Sequence, residues 1–128
     1  VLTGMHFKLK SPQAQLVTLM SGHIFDVCVD LRPDSPTFSK WHGIELIESA
    51  PRQIYMEPGF AHGYCVLSDF ANIHYKVTEL YNPRDEVGLL WNDEDIDIKW
   101  PIKNPILSDG SSDYLTWRSL KPILLPKL

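Results

Sequence analysis

Proline and glycine punctuate this chain so regularly that long helices are excluded. Ten Pro and seven Gly are spread over 128 residues, and almost no segment runs beyond about a dozen residues without a breaker. The clearest pattern between breakers has the period of a strand. From His23 to Leu31, the residues Phe25, Val27, Val29 and Leu31 alternate with Ile24, Asp26, Cys28 and Asp30, and side chains two apart share a face of a strand. This predicts a strand with one wholly apolar face and one mixed face, the mixed face suited to lining a pocket.

Weaker patterns predict strands over Leu16 to Met20, Gly43 to Ile47, Arg52 to Glu57, Gly63 to Leu67, Asn72 to Thr78, Val87 to Trp91 and Ile96 to Trp100. Turn chemistry bounds them, as in Arg32-Pro33-Asp34-Ser35-Pro36, Pro58-Gly59, Ser68-Asp69 and Asn82-Pro83. About eight short, closely spaced strands imply an all-β sandwich or barrel rather than a βαβ array, and a cupin-type jelly roll is the expected form. The length fits one domain covering residues 1–128. No repeat, low-complexity stretch or linker interrupts it. The tail from Tyr114 to Leu128 is expected to form a short helix or an irregular strap.

Apolar residues are 44% and charged residues 22% of the chain, the balance of a soluble globular protein. Twelve Lys and Arg face sixteen Asp and Glu, a net charge of −4. No basic run could neutralise a phosphate backbone, so nucleic acid is not an expected partner. Nor is a membrane, because no apolar run approaches the roughly 18–20 residues that span one. Val1 to His6 lack the features of a signal peptide, and a cytoplasmic location is expected. Two cysteines, Cys28 and Cys65, are too few for a disulfide framework and read as reduced, buried thiols. The chain opens at Val1, without an initiator Met and already in strand-like sequence.

Five histidines invite a metal hypothesis, yet there is no H-x-H pair and no spacing that places two ligands side by side. No metal is expected. Neither a G-x-S-x-G elbow nor a glycine-rich phosphate loop occurs, which leaves acid/base chemistry. Three places could carry it. In Thr3-Gly4-Met5-His6-Phe7, His6 alternates with two apolar neighbours, so its imidazole faces away from them; the plain alternative is a structural histidine. In Pro58-Gly59-Phe60-Ala61-His62-Gly63-Tyr64, the two glycines would let a ligand approach the backbone beside His62. In Ile73-His74-Tyr75-Lys76, Tyr75 shares a face with Ile73 and Val77, where a core tyrosine is the default reading.

These segments occur in a recognisable order. Val1 to Phe7, Asp26 to Arg32, Ser35 to Trp41, Pro58 to Asp69, Tyr75-Lys76, Trp91-Asn92-Asp93 and Ile98-Lys99-Trp100-Pro101 together resemble the dTDP-4-dehydrorhamnose 3,5-epimerase family, from Val1 to about Ser108. The resemblance implies a cupin jelly roll, a homodimer, and a nucleoside-diphosphate 4-keto-6-deoxy sugar as substrate. It also implies inversion of C3 and C5, the carbons flanking the ketone, with no metal or organic cofactor. Removing such a proton needs a base, donors that stabilise the enolate, and an acid on the opposite face. By resemblance His6 is the base and Tyr75 the acid, while Asp26, His62 and Gln15 are substrate-binding residues.

The departures bear on activity. Thr3 stands where the family pattern R-G-L-H has Arg, and Gln15 where Q-G-K-L-V has Lys, so a neutral amide replaces a cation near the ketone. The carboxylate that orients the base in the pattern L-S-x-K-D is replaced by Ser111, leaving Asp109 or Asp113 as substitutes. Leu80 stands where a tyrosine usually precedes the one matched by Tyr81. Relatives also carry an amino-terminal segment, with a strand exchanged between subunits, that this chain lacks. The chain is either a piece of a longer protein or one without that binding surface. An epimerase of full or narrowed activity is expected; the alternative is a weak or inactive cupin that binds a sugar nucleotide or partners an active epimerase.

Overall fold

In the computed structural model, which describes residues 1–80, 82–108 and 114–125, the alternation of residues 23–31 decides how the layers stack. Strand β3 (His23–Asp30) lies inside a five-stranded antiparallel sheet with order β4-β3-β6-β1-β8, formed with β1 (Leu2–Lys8), β4 (Trp41–Ile47), β6 (Phe60–Val66) and β8 (Glu86–Gly88). A second sheet has order β5-β2-β7, from β2 (Gln15–Ser21), β5 (Gln53–Met56) and β7 (Asn72–Val77). The cupin-type sandwich anticipated from strand spacing is the fold observed.

Each face of the large sheet has its own core. Val27, Val29 and Leu31 join Met5, Phe7 and Ala61 against Leu89, Ile96, Ile98, Trp117 and Leu120. This layer is contributed by the carboxy-terminal third, including helix α1 (Trp117–Leu124). On the opposite face Ile24 and Leu46 pack with Leu19, Ile54 and Ile73 of the small sheet. The apolar face of β3 therefore serves the first core, and its mixed face looks between the sheets. Cys65 is fully buried, whereas Cys28 on the mixed face is only partly so, and both thiols are free. Burial, then the charges of Asp26 and Asp30, pushes the Cys28 thiol up to about 11.

Two predicted strands need correction. Ile96 to Trp100 forms no strand, because Asp97 takes a left-handed φ of 57° and the segment pairs with no ladder. Ile96 and Ile98 alternate because they are buried in the first core, so a period of two here records burial without sheet pairing. Val87 to Trp91 shortens to the three residues of β8 followed by an isolated bridge, Leu89 to Leu115. The tail resolves into α1, capped by the Thr116 side chain accepting from the Ser119 N–H at 3.2 Å. Asp93 fastens this layer: its carboxylate accepts from the backbone N–H groups of Asp95, Ile96 and Trp117 at 2.9, 3.0 and 2.8 Å.

Candidate active site

Strands β1 and β6 bring His6 and His62 directly opposite one another. Thr3 lies opposite Tyr64, so β1 advances three positions where β6 advances two. The extra residue is a bulge, and it returns Thr3 to the face that carries His6. Met5 and Phe7 point the other way into the first core, as the alternation around His6 predicts. Gly63 is also needed for packing. A Cβ on it would lie 2.6 Å from Met5 Sδ and 2.7 Å from the Thr3 carbonyl oxygen, so β1 approaches it closely while Gly63 also lines the cavity described below. At Gly59, with φ 102°, a Cβ would meet Arg32 Cγ at 2.5 Å.

Asp26 and His62 form a buried pair. In the β3–β6 register His62 faces Cys28, which makes Asp26 its diagonal neighbour, and His62 Nε2 donates to Asp26 Oδ1 at 2.6 Å. Asp26 is 2% exposed and sits behind His62 rather than at the cavity wall; each group satisfies the other where water cannot reach.

Between the two sheets lies a cavity of about 400 Å³, with His6, His62 and Tyr64 on the large-sheet side and Gln15 and Tyr75 on the small-sheet side. In the small sheet Tyr75 pairs with Val17 and Val77 with Gln15. At 39% exposed, Tyr75 is not a core residue. Its ring meets that of His62 edge-on, with centroids 6.0 Å apart. Burial of its hydroxyl, then a hydrogen bond with Tyr64 and the charges of Tyr64 and Asp26, raises its pKa far above the ordinary phenol value. The phenol therefore stays protonated. His6 is shifted the opposite way: burial lowers its pKa, Glu86 partly offsets this, and His62 and Lys8 lower it further. Its ring is neutral at pH 7, the state a base requires.

Four neighbours went unnoticed in the sequence. Lys8 and Tyr64 line the cavity and share the strand parity of His6 and His62, so alternation alone could have found them. Glu86 also lines it. Tyr114 hydrogen-bonds His6 Nε2 through its hydroxyl, and no local pattern announces it. Asp109 and Asp113, along with Ser111 and Tyr81, lie outside the described residues. Thr3 lines the cavity, while Leu80 is exposed. Among the described residues no three His, Cys, Asp or Glu side chains are grouped as metal ligands. No described helix is long and apolar enough to cross a membrane.

A neutral imidazole and a protonated phenol thus reach into one cavity from the two sheets of a cupin-type sandwich. Comparison with known proteins narrows this further. The family model of dTDP-4-dehydrorhamnose 3,5-epimerase matches residues 1–118, and the chain belongs to that family. It is 48% identical over 110 residues to the dTDP-4-dehydrorhamnose 3,5-epimerase of Shigella flexneri, a match covering 85% of this chain and 61% of that one. It thus spans about three fifths of the length of that curated relative.

Among solved structures, the dTDP-6-deoxy-D-glucose-3,5-epimerase of Legionella pneumophila in complex with dTDP-4-keto-L-rhamnose superposes with a TM-score of 0.90 at 36% identity, over 99% of this chain and 68% of that one. A 4-keto-6-deoxy sugar epimerase from the novobiocin gene cluster of Streptomyces spheroides gives 0.92 at 37%, over 99% and 65%.

Proposed function

We propose that the cavity epimerises a nucleoside-diphosphate-linked 4-keto-6-deoxy sugar by proton transfer at C3, C5 or both. The observation that carries this is the placement of His6 and Tyr75 on different sheets around one cavity. A hydrogen beside the ketone passes to His6, the electron pair spreads onto the carbonyl oxygen, and Tyr75 returns a proton to the other face of the carbon. Gln15 offers a neutral amide where the family resemblance implies a cation, and neutral hydrogen bonds are the weaker kind. Slower turnover, or inversion at one carbon only, follows from that loss.

His62, held by Asp26, and Gln15 contact the sugar in this reading. The family resemblance implies neither a metal nor an organic cofactor, and this reading uses none. The chain acts as one cytoplasmic domain within a homodimer, the homodimer resting on family resemblance.

The test is to incubate the protein with dTDP-4-keto-6-deoxyglucose in deuterated water and follow label by NMR. Deuterium at both C3 and C5 is expected from a double epimerase, and at one carbon from a narrowed enzyme. His6→Ala is expected to slow exchange by about 10²- to 10⁴-fold, the usual worth of a general base. Binding without any exchange in the unaltered protein would leave a sugar-nucleotide-binding cupin instead.

A further inference from the structure

The geometry points to Tyr114 as the positioning residue of His6, holding the ring with its proton on Nε2 so that Nδ1 is the nitrogen that accepts the substrate proton. This rests on the proposed epimerase reading for its chemistry, though not for its geometry. Three observations carry it.

The first is the contact itself. The Tyr114 hydroxyl hydrogen-bonds His6 Nε2, and the two rings meet edge-on with centroids 5.2 Å apart. No described residue hydrogen-bonds Nδ1.

The second is that Tyr114 occupies a built seat. In the β1–β8 register His6 lies opposite Gly88, so the bare face of Gly88 is the face from which the imidazole projects. The Tyr114 ring fills that space: a Cβ on Gly88 would fall 2.2 Å from its Cγ and Cδ1. The missing side chain of Gly88 is replaced by an aromatic ring delivered from elsewhere in the chain.

The third is that the backbone fixes the delivery. The Leu115 N–H donates to the Gly88 carbonyl and the Leu90 N–H to the Leu115 carbonyl, both at 2.9 Å. The residue after Tyr114 is thereby pinned alongside β8, leaving the ring little freedom to leave its seat.

A neutral imidazole has one donor and one acceptor nitrogen. Nε2 is engaged by the phenol in either tautomer, so only Nδ1 remains for a substrate. Nδ1 carries a lone pair only when the proton sits on Nε2, and then Nε2–H donates to the Tyr114 oxygen. When the substrate proton arrives, both nitrogens bear hydrogen and the phenol oxygen keeps its hydrogen bond. Where the family pattern implies a carboxylate that orients the base this sequence has Ser111, and the Tyr114 phenol supplies an acceptor for the ring without a formal charge.

The experiment uses the full chain with ¹⁵N-labelled histidine. Long-range proton–nitrogen correlation spectra, at a pH where His6 is neutral, are expected to show Nε2 protonated and Nδ1 with the shift of an unprotonated ring nitrogen. In Tyr114→Phe the ring stays seated over Gly88 but the acceptor is gone, and the two tautomers are expected to mix. Deuterium exchange into the keto sugar should fall about 10- to 100-fold in kcat with KM little changed, less than removal of the base itself. Gly88→Ala, which evicts the ring, should give the same spectral change with the phenol still in the chain. A proton on Nδ1 in the unaltered protein, or an unchanged tautomer in Tyr114→Phe, overturns the assignment. Because the spectra need no substrate, a locked tautomer in a protein that exchanges no substrate proton would overturn the epimerase reading and leave the Tyr114 contact standing.

Discussion

Burial sets the protonation of His6, and a neighbouring carboxylate works against it. Desolvation is the larger influence and Glu86 the main one opposing, with His62 and Lys8 on the side of burial. The sign of a test follows. Activity is expected to be full while His6 is neutral and to fall as pH drops through a value below the ordinary 6.5. Glu86→Gln removes the influence that raises the pKa, so the acid limb of kcat/KM against pH should move to lower pH. Tyr75, raised far above its ordinary value of 10.0, should cause no loss of activity as pH passes 10. A basic limb that appears only in Tyr64→Phe would show that Tyr64 helps keep Tyr75 protonated. Among single residues, His6, His62 and Tyr75 were legible because ordered motifs of a known family carry them, and Gln15 because it departs from one. Tyr114 was not, since its place depends on a bridge between Leu89 and Leu115 that no local pattern encodes.

Among the elements, β3 could be read from sequence and the segment around Ile96 could not, for one reason. In β3 the alternation marks two faces of a paired strand: Val27 and Val29 are fully buried in one core while Asp26 backs the site. Ile96 and Ile98 have the same period, but Asp93 gathers the nearby N–H groups into a turn before any ladder can form. The Asp93 carboxylate also holds the Trp117 N–H at the start of α1. Asp93→Ala removes three hydrogen bonds at a buried carboxylate and is expected to cost about 2–4 kcal/mol, given the penalty for buried N–H groups left without acceptors. Urea denaturation should show this as a lower midpoint. If the midpoint does not move, the turn has another anchor.

For the whole molecule, acid is the condition most directly opposed to its design. Burial alone would raise the Asp30 pKa, but hydrogen bonds from Arg32, Ser35 and Thr37 outweigh it and hold the group well below the usual carboxylate range. Asp85 is lowered too, chiefly by hydrogen bonds from the backbone of Lys10, with Ser11 adding to it. A carboxylate with a depressed folded-state pKa contributes stability above its unfolded value and loses it as pH falls toward the folded one. Stability should therefore change little above about pH 5 from this cause and decline below about pH 4, where unfolded carboxylates begin to bind protons. Denaturant midpoints measured between pH 7 and pH 3 check this, and Asp30→Asn should flatten the decline.

The slip in the ladder between Thr3 and His6 reaches further than its one surplus residue suggests. It turns an odd separation along the chain into a shared direction in space, so two side chains that a regular pleat would send to opposite layers line the same cavity. Pairing the same three-residue step without the bulge would exile one of them to the oily layer behind the sheet, whereas deleting Gly4 would leave a separation of two that keeps both on this side.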